Sequence, residues 1–455
     1  MNIASKQQNP IFHDINLDKL EGDPRLKTFC ALPWMHLFVS EMGEHYPCCV
    51  STETPYKNTD ELGEPFHIND PDALHKAWNS SYMRDIRLKM LRGERPQPCM
   101  ACFRLEDMGI ESTRYWSNFK FADMAQKPVQ LTRSDGTSEL TLYSFDIRLG
   151  NQCNLRCRMC SPMASKGLVE DFKQLGMSEQ DANRYLACDW FEQPEFWELF
   201  LRHSRNIRAL HFAGGEPFLI KQHFSFLKEL VTSDLAQHIT LSYNTNLTLL
   251  PQELLELWKN FSQIIIIVSI DGLSDVNRYI RFPSNWEQIQ KNIRFIHDNM
   301  TEYRIKDFAF NITVQVYNIF TVTDVIDFLL DQYPNAAVPT LVPLVFPPEL
   351  SMQVLSASVK QELTSKLNTY LQNHIHDFRK IKKNDIDQAN RLIDNIDGIV
   401  KFLNAKDESH LLPDLIRRTQ IADEIRNLYC SDCVPELAAI FANYRDANRV
   451  ESKSA

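Results

Sequence analysis

Between residues 139 and 350, short runs of β-branched and aromatic residues alternate with longer stretches whose apolar positions recur every three or four residues. The first pattern predicts strands and the second helices, and their alternation predicts parallel βα units. The predicted strands are Leu140–Arg148, Ile207–Ala213, Ile239–Asn244, Ile264–Ile270, Ala309–Val316 and Pro339–Val345. Helices are predicted near Glu195–His203, Lys221–Thr232, Pro251–Lys259, Trp286–Asn299 and Val322–Gln332. Six strands at this pitch predict an α/β fold built on a partial (β/α)6 TIM-type barrel. Chemistry in such a barrel gathers at the carboxy-terminal ends of the strands.

The texture changes on either side of this region. Residues 1–130 carry prolines, scattered cysteines and one predicted amphipathic helix over Pro71–Leu91, and read as a small Cys-rich amino-terminal module. Lys127–Ser138, with Pro128 and Asp135-Gly136, reads as a linker. Residues 139–350 form the barrel, and 351–455 a helical carboxy-terminal extension whose polar tail, Arg449 to Ala455, is expected to fray.

Composition narrows the function classes. Hydrophobic residues make up 44 % of the chain and charged residues 24 %, as in an ordinary globular protein. A net charge of −10 argues against general attraction to nucleic acid or anionic lipid. The apolar run around Ile264–Val268 is too short for a membrane span and reads as a buried strand. Met1 to Phe29 lacks the apolar core of a secretory signal, so a cytoplasmic location is expected. A reducing compartment would keep the eleven cysteines as thiols, which directs attention to metal binding rather than disulfides.

Spacing sharpens that reading. After the first predicted strand comes Gly150-Asn-Gln-Cys153-Asn-Leu-Arg-Cys157-Arg-Met-Cys160, a C-x3-C-x2-C pattern within eight residues. Three thiolates on a four-iron cube leave one iron open to chelate a further ligand. The pattern, following such a strand, resembles the radical S-adenosylmethionine (SAM) superfamily over roughly residues 140–350. The resemblance implies a [4Fe-4S] cluster on Cys153, Cys157 and Cys160 that reductively cleaves SAM to a 5′-deoxyadenosyl radical. Met159 stands where the family usually has an aromatic residue near the adenine. Gly214-Gly215-Glu216-Pro217, at the end of the second strand, matches the motif that binds the SAM amino group. Asn244 and Ser269, at the ends of the next two strands, correspond to positions that contact the ribose and the carboxylate.

Asp271 is a candidate general base, by likeness to sulfatase-maturating relatives, with helix capping as the competing reading. Arg278 or Arg281 could clamp a carboxylate, or lie solvated at the surface.

The amino-terminal module holds Cys30, Gly43 and Cys48 in a C-x12-G-x4-C pattern, followed by Cys99-Met-Ala-Cys102. This resembles the twitch domain, a shortened SPASM domain, although that domain commonly follows the barrel. The resemblance implies an auxiliary [4Fe-4S] cluster on Cys30, Cys48, Cys99 and Cys102, with a four-cysteine zinc site as the alternative. Gly43 is expected to permit the hairpin between the first two cysteines. Cys49 reads as a bystander and Cys188 as a structural thiol, while Cys430 and Cys433 have half-site spacing with no second pair nearby. The family implies a flavodoxin or ferredoxin donor and a peptide or sugar-like small-molecule substrate. A non-catalytic iron–sulfur scaffold is the competing class.

Overall fold

The computed structural model describes residues 16–19, 22–53, 55–70, 72–107, 111–381 and 386–454. The strands in chain order are β1 (His36–Val39), β2 (His45–Tyr46), β3 (Ser144–Arg148), β4 (Arg156–Cys157), β5 (Ala209–Ala213), β6 (Thr240–Thr245), β7 (Gln263–Ser269), β8 (Arg281–Phe282), β9 (Ile305–Val314) and β10 (Thr340–Pro343). Eight of them form one sheet in the order β10-β9-β7-β6-β5-β3-β1-β2. The six predicted barrel strands are all present as β3, β5, β6, β7, β9 and β10, parallel and adjacent in chain order. Helices fall between them as the periodicity predicts, including Lys221–Thr232 and Val322–Gln332.

Alternation along each strand sorts residues onto two faces. On β6, Leu241 and Tyr243 are buried, and Tyr243 packs against Trp258, Phe218 and His223 of the helical layer. Ser242 and Asn244 therefore face the concave interior. The same rule turns Phe145 and Ile147 of β3 and Leu210 and Phe212 of β5 towards the helices. It leaves Asp146, Arg148 and His211 inside.

The amino-terminal segment does not stand apart from the barrel. Its β1 adds in parallel to β3, pairing Phe38 with Asp146, and β2 closes the edge as an antiparallel hairpin strand. A second core, including Phe29, Trp34, Met83 and Phe121, packs beneath this edge around Cys30. The single helix expected over Pro71–Leu91 is two, Ala73–Trp78 and Ser81–Leu91. The break falls at Ser80, whose hydroxyl accepts from Met83 N at 3.2 Å and caps the second helix. The expected linker begins inside helix Thr113–Gln130, which buries Pro128. Its later turn is anchored, since Arg87 donates to the Gly136 carbonyl at 3.3 Å and Asn79 to that of Ser138 at 3.0 Å.

Beyond the barrel the chain is helical, as expected, and the backbone of the polar tail up to Ser454 continues helix Pro435–Ser454. Ala455 lies outside the described residues. Helix Leu412–Arg426 reaches back to the cysteine loop. Asp423 accepts from Arg158 at 2.6 Å and from Tyr279 at 2.8 Å, with both ends of the ion pair buried. Arg426 and Arg156 share Asp171, at 3.0 and 3.2 Å. Among the described residues, no helix is long and apolar enough to cross a membrane.

Two stability predictions follow from these buried groups. Asp423→Ala strands Arg158 without its partner and should lower unfolding stability by about 3–5 kcal/mol in urea titrations; an unchanged midpoint would remove the clamp. Burial holds His36 and His211 down to about 4, and His45 and His223 to about 3, against 6.5 for a free imidazole. Below pH 6.5 the unfolded chain therefore binds protons that the folded chain refuses, so their contribution is complete above that pH and is lost as it falls. Urea midpoints should decline steadily from pH 7 to pH 5, and a flat profile would contradict the buried placement.

Candidate functional site

The cysteine loop leaves β3 through Gly150, at φ +63°. It is pinned from the side by the segment that leaves β5. Gly215 N donates to the Gly150 carbonyl at 3.0 Å, and Glu216 N to that of Gln152 at 2.7 Å. Gly214, at φ +112°, lies against the Arg148–Leu149 peptide, and a Cβ on Gly215 would overlap the Gln152 backbone. The glycines thus serve contact between two loops, and the Gly215 and Glu216 amides are taken by protein carbonyls rather than held open for a ligand.

The Glu216 carboxylate is also tied into the protein. It is fully buried, and accepts from Thr245 Oγ1 at 2.8 Å, Asn246 N at 2.7 Å and Phe218 N at 3.1 Å. Burial pushes it up to about 7 against those bonds. Its visible work is to tie the end of β5 to the end of β6, with Pro217 opening the turn that it caps.

Past Cys153, the chain forms β4, which pairs antiparallel with β8 and sets Cys157 opposite Arg281. The Cys157 and Cys160 thiols hydrogen-bond each other, which draws Cys157 down and drives Cys160 up. Burial pushes Cys153 up to about 12, with Cys157 adding to the rise. Thiols so placed gain most when cations replace their protons. Asn246 reaches Cys153 Sγ at 3.9 Å and Asn154 at 3.0 Å. Asn244 Oδ1 has no hydrogen-bond partner, Ser269 is half-buried at the end of β7, and Met159 packs at the edge of the main core.

Asp271 is sealed from solvent. It lies 2.7 Å from Arg281, and its Oδ1 accepts from Thr313 N, also at 2.7 Å. It does not cap the next helix, whose N-cap position is Leu273. Nor does it present a free carboxylate to the barrel mouth. Of the two candidate arginines, Arg281 is buried and Arg278 is exposed beside Asp275.

The four module cysteines also gather. Gly43 turns the β1–β2 hairpin at φ +77°, beneath His67. Burial pushes Cys30 up to about 12 and raises Cys48 and Cys99, and each thiol lies in the field of others in the set, Cys102 included. Cys49, outside the four-cysteine set, lies against Arg148 of β3. Among the described residues, no three His, Cys, Asp or Glu side chains converge to the spacing of a single bound ion. Cys188 donates to the Glu41 carbonyl at 3.2 Å, a structural role as expected. Cys430 and Cys433 are buried near Asp423 and Arg278.

The concave face of β3, β5 and β6 carries a polar interior that the motifs do not mark. His211 Nδ1 is 2.8 Å from Ser242 Oγ, Arg148 Nε is 3.3 Å from Asp146 Oδ1, and His36 Nδ1 is 3.0 Å from Ser144 Oγ. Asp146 Oδ1 has that ion-pair contact but no aligned hydrogen bond. The signal was present in the sequence as polar residues at alternate positions, in Ser144-Phe-Asp146-Ile-Arg148 and Leu210-His211-Phe212.

Residues 147–323 match the model of the radical SAM superfamily. That stretch is a radical SAM domain. Residues 30–103 match SPASM, an iron-sulfur cluster-binding domain, so in this radical SAM protein the auxiliary domain precedes the barrel. Domains of these two families bind SAM and [4Fe-4S] clusters.

No curated protein matches the sequence. Among solved structures, Streptococcus suis SuiB bound to S-adenosylmethionine is 14 % identical, covering 65 % of this chain and 64 % of its own, with a TM-score of 0.36. The anSMEcpe structure with bound AdoMet is 16 % identical, covering 56 % and 62 %, with a TM-score of 0.35. This chain therefore spans less than two thirds of either structure. Likeness at this level fixes neither substrate nor partner.

The loop-on-loop contact generates a test. Gly215→Ala should dislodge the cysteine loop and cut iron and sulfide bound at the three-cysteine site while sparing the four-cysteine site, so total iron falls by roughly half. Full iron content in this variant would mean that the contact does not position the loop.

Proposed function

We propose that this radical SAM protein oxidises or otherwise modifies a substrate carbon by hydrogen abstraction, on either a peptide residue or a sugar-like alcohol. When bound, a cluster on Cys153, Cys157 and Cys160 supplies the electron that cleaves SAM to methionine and a 5′-deoxyadenosyl radical, the hydrogen acceptor. Cys30, Cys48, Cys99 and Cys102 would hold an acceptor for the electron left on the substrate. A flavodoxin or ferredoxin supplies the first electron.

The observation that carries this reading is the polar interior on β3, β5 and β6, beside the module cysteines. Arg148 is central to it, bonded to Cys49 of the module while its own strand runs into the cysteine loop. A scaffold that only carries electrons has no use for Asp146, Arg148 and His211 in a buried concavity, where unpaired polar groups are costly. His211 is the proton acceptor in this scheme. Burial keeps its ring neutral at pH 7, and Ser242 Oγ, 3.3 Å from the Leu210 carbonyl, can donate there. That assignment puts the His211 proton on Nδ1 and leaves Nε2 to accept. The sealed Asp271 is left to a different task.

Anaerobic reconstitution, with iron and sulfide counting, separates clusters from zinc. Reduction with SAM should then release 5′-deoxyadenosine, and Cys157→Ala should abolish that release. Cys99→Ala should keep 5′-deoxyadenosine release but lose product. Absence of 5′-deoxyadenosine from a fully loaded protein would favour the scaffold, and unchanged product from Cys99→Ala would end the acceptor role.

A further inference from the structure

Arg281 occupies a place that neither the cleavage chemistry nor the fold alone accounts for. It opens β8, a two-residue strand whose ladder with β4 sets it opposite Cys157. Its side chain is nine-tenths buried, and its Nε stands 2.7 Å from Asp271 Oδ2. The contact is charge against charge, because neither atom makes an aligned hydrogen bond. Asp271 is held in turn by Thr313 N of β9, the strand paired with β7.

All three loop thiols, Cys153, Cys157 and Cys160, lie in the field of this guanidinium. Asp271 acts on Cys157 as well, but less strongly than Arg281 does. The ladder puts Arg281, the positive member of the pair, directly across from Cys157. A buried ion pair is weak support for a fold. A fixed cation beside a redox centre, by contrast, favours the more negative, reduced state, and burial protects that effect from screening.

We propose that Arg281, held by Asp271, is a positioning residue that sets the reduction potential of the cluster on Cys153, Cys157 and Cys160. The inference rests on the proposed function, which assigns a redox cluster to those thiols. It adds a mechanism by which this chain makes the cluster easier to reduce. Asp271 limits that effect, so the two residues act with opposite signs.

The test is an EPR-monitored redox titration of the reconstituted full-length protein without SAM, following the signal that is absent from Cys157→Ala. Arg281→Gln should lower the reduced-to-oxidised ratio at a fixed poise about tenfold, equivalent to 59 mV for one electron. Asp271→Asn should raise that ratio about threefold or more, and Arg281→Lys should stay close to the parent protein. Shifts of opposite sign are what a purely structural pair would not produce. If Arg281→Gln does not fold, Asp271→Asn and Arg281→Lys still decide the matter. No shift, or shifts of the same sign, would overturn the proposal. A parent protein with no signal attributable to Cys157 would instead overturn the assignment of the cluster itself.

Discussion

Two backbones pressed together without a side chain between them hold the site. Gly215 and Glu216 donate to the carbonyls of Gly150 and Gln152, at 3.0 and 2.7 Å, and the approach is possible only because neither Gly214 nor Gly215 has a Cβ. The cysteine loop therefore does not hang free from β3. It is clamped to the neighbouring strand before any ligand arrives, and the carboxylate that follows the glycines locks the next strand to the same assembly. Preorganisation of this kind suits a site that must present three sulfurs at once.

From the opposite side, the loop is held by charge. Arg156 and Arg158 flank Cys157, and their partners Asp171 and Asp423 link the loop to the carboxy-terminal helices. The extension is thus joined to the centre of the molecule rather than appended to it. The interior polar groups complete the arrangement from below, on the faces of β3, β5 and β6 turned away from the helices.

The barrel was legible because its strands carry long β-branched runs with helical periodicity between them, and the cysteine motifs because their spacing is chemically narrow. What escaped was whatever depends on strand pairing across long separations. β1 is four residues, all buried, with no alternation to betray it, and its partner lies over a hundred residues downstream. β4 and β8 are two residues each, so the opposition of Cys157 and Arg281 has no local signature. The side chain of Asp271 sat near enough to a barrel mouth to suggest catalysis, yet tertiary packing gave it to Arg281. His211 and Asp146 were visible as polar breaks in apolar strands, but the reading concentrated on strand ends.

Because β1 is laddered directly onto β3, the amino-terminal cysteines and the cysteine loop are attached to adjacent strands of one continuous sheet. Their relative placement is then anchored by the shared sheet and not left to a tether's length. Residues inserted between the module and the barrel would lengthen the connection without altering that placement. Removing the module would bare the β3 edge, a surface prone to pair with another chain.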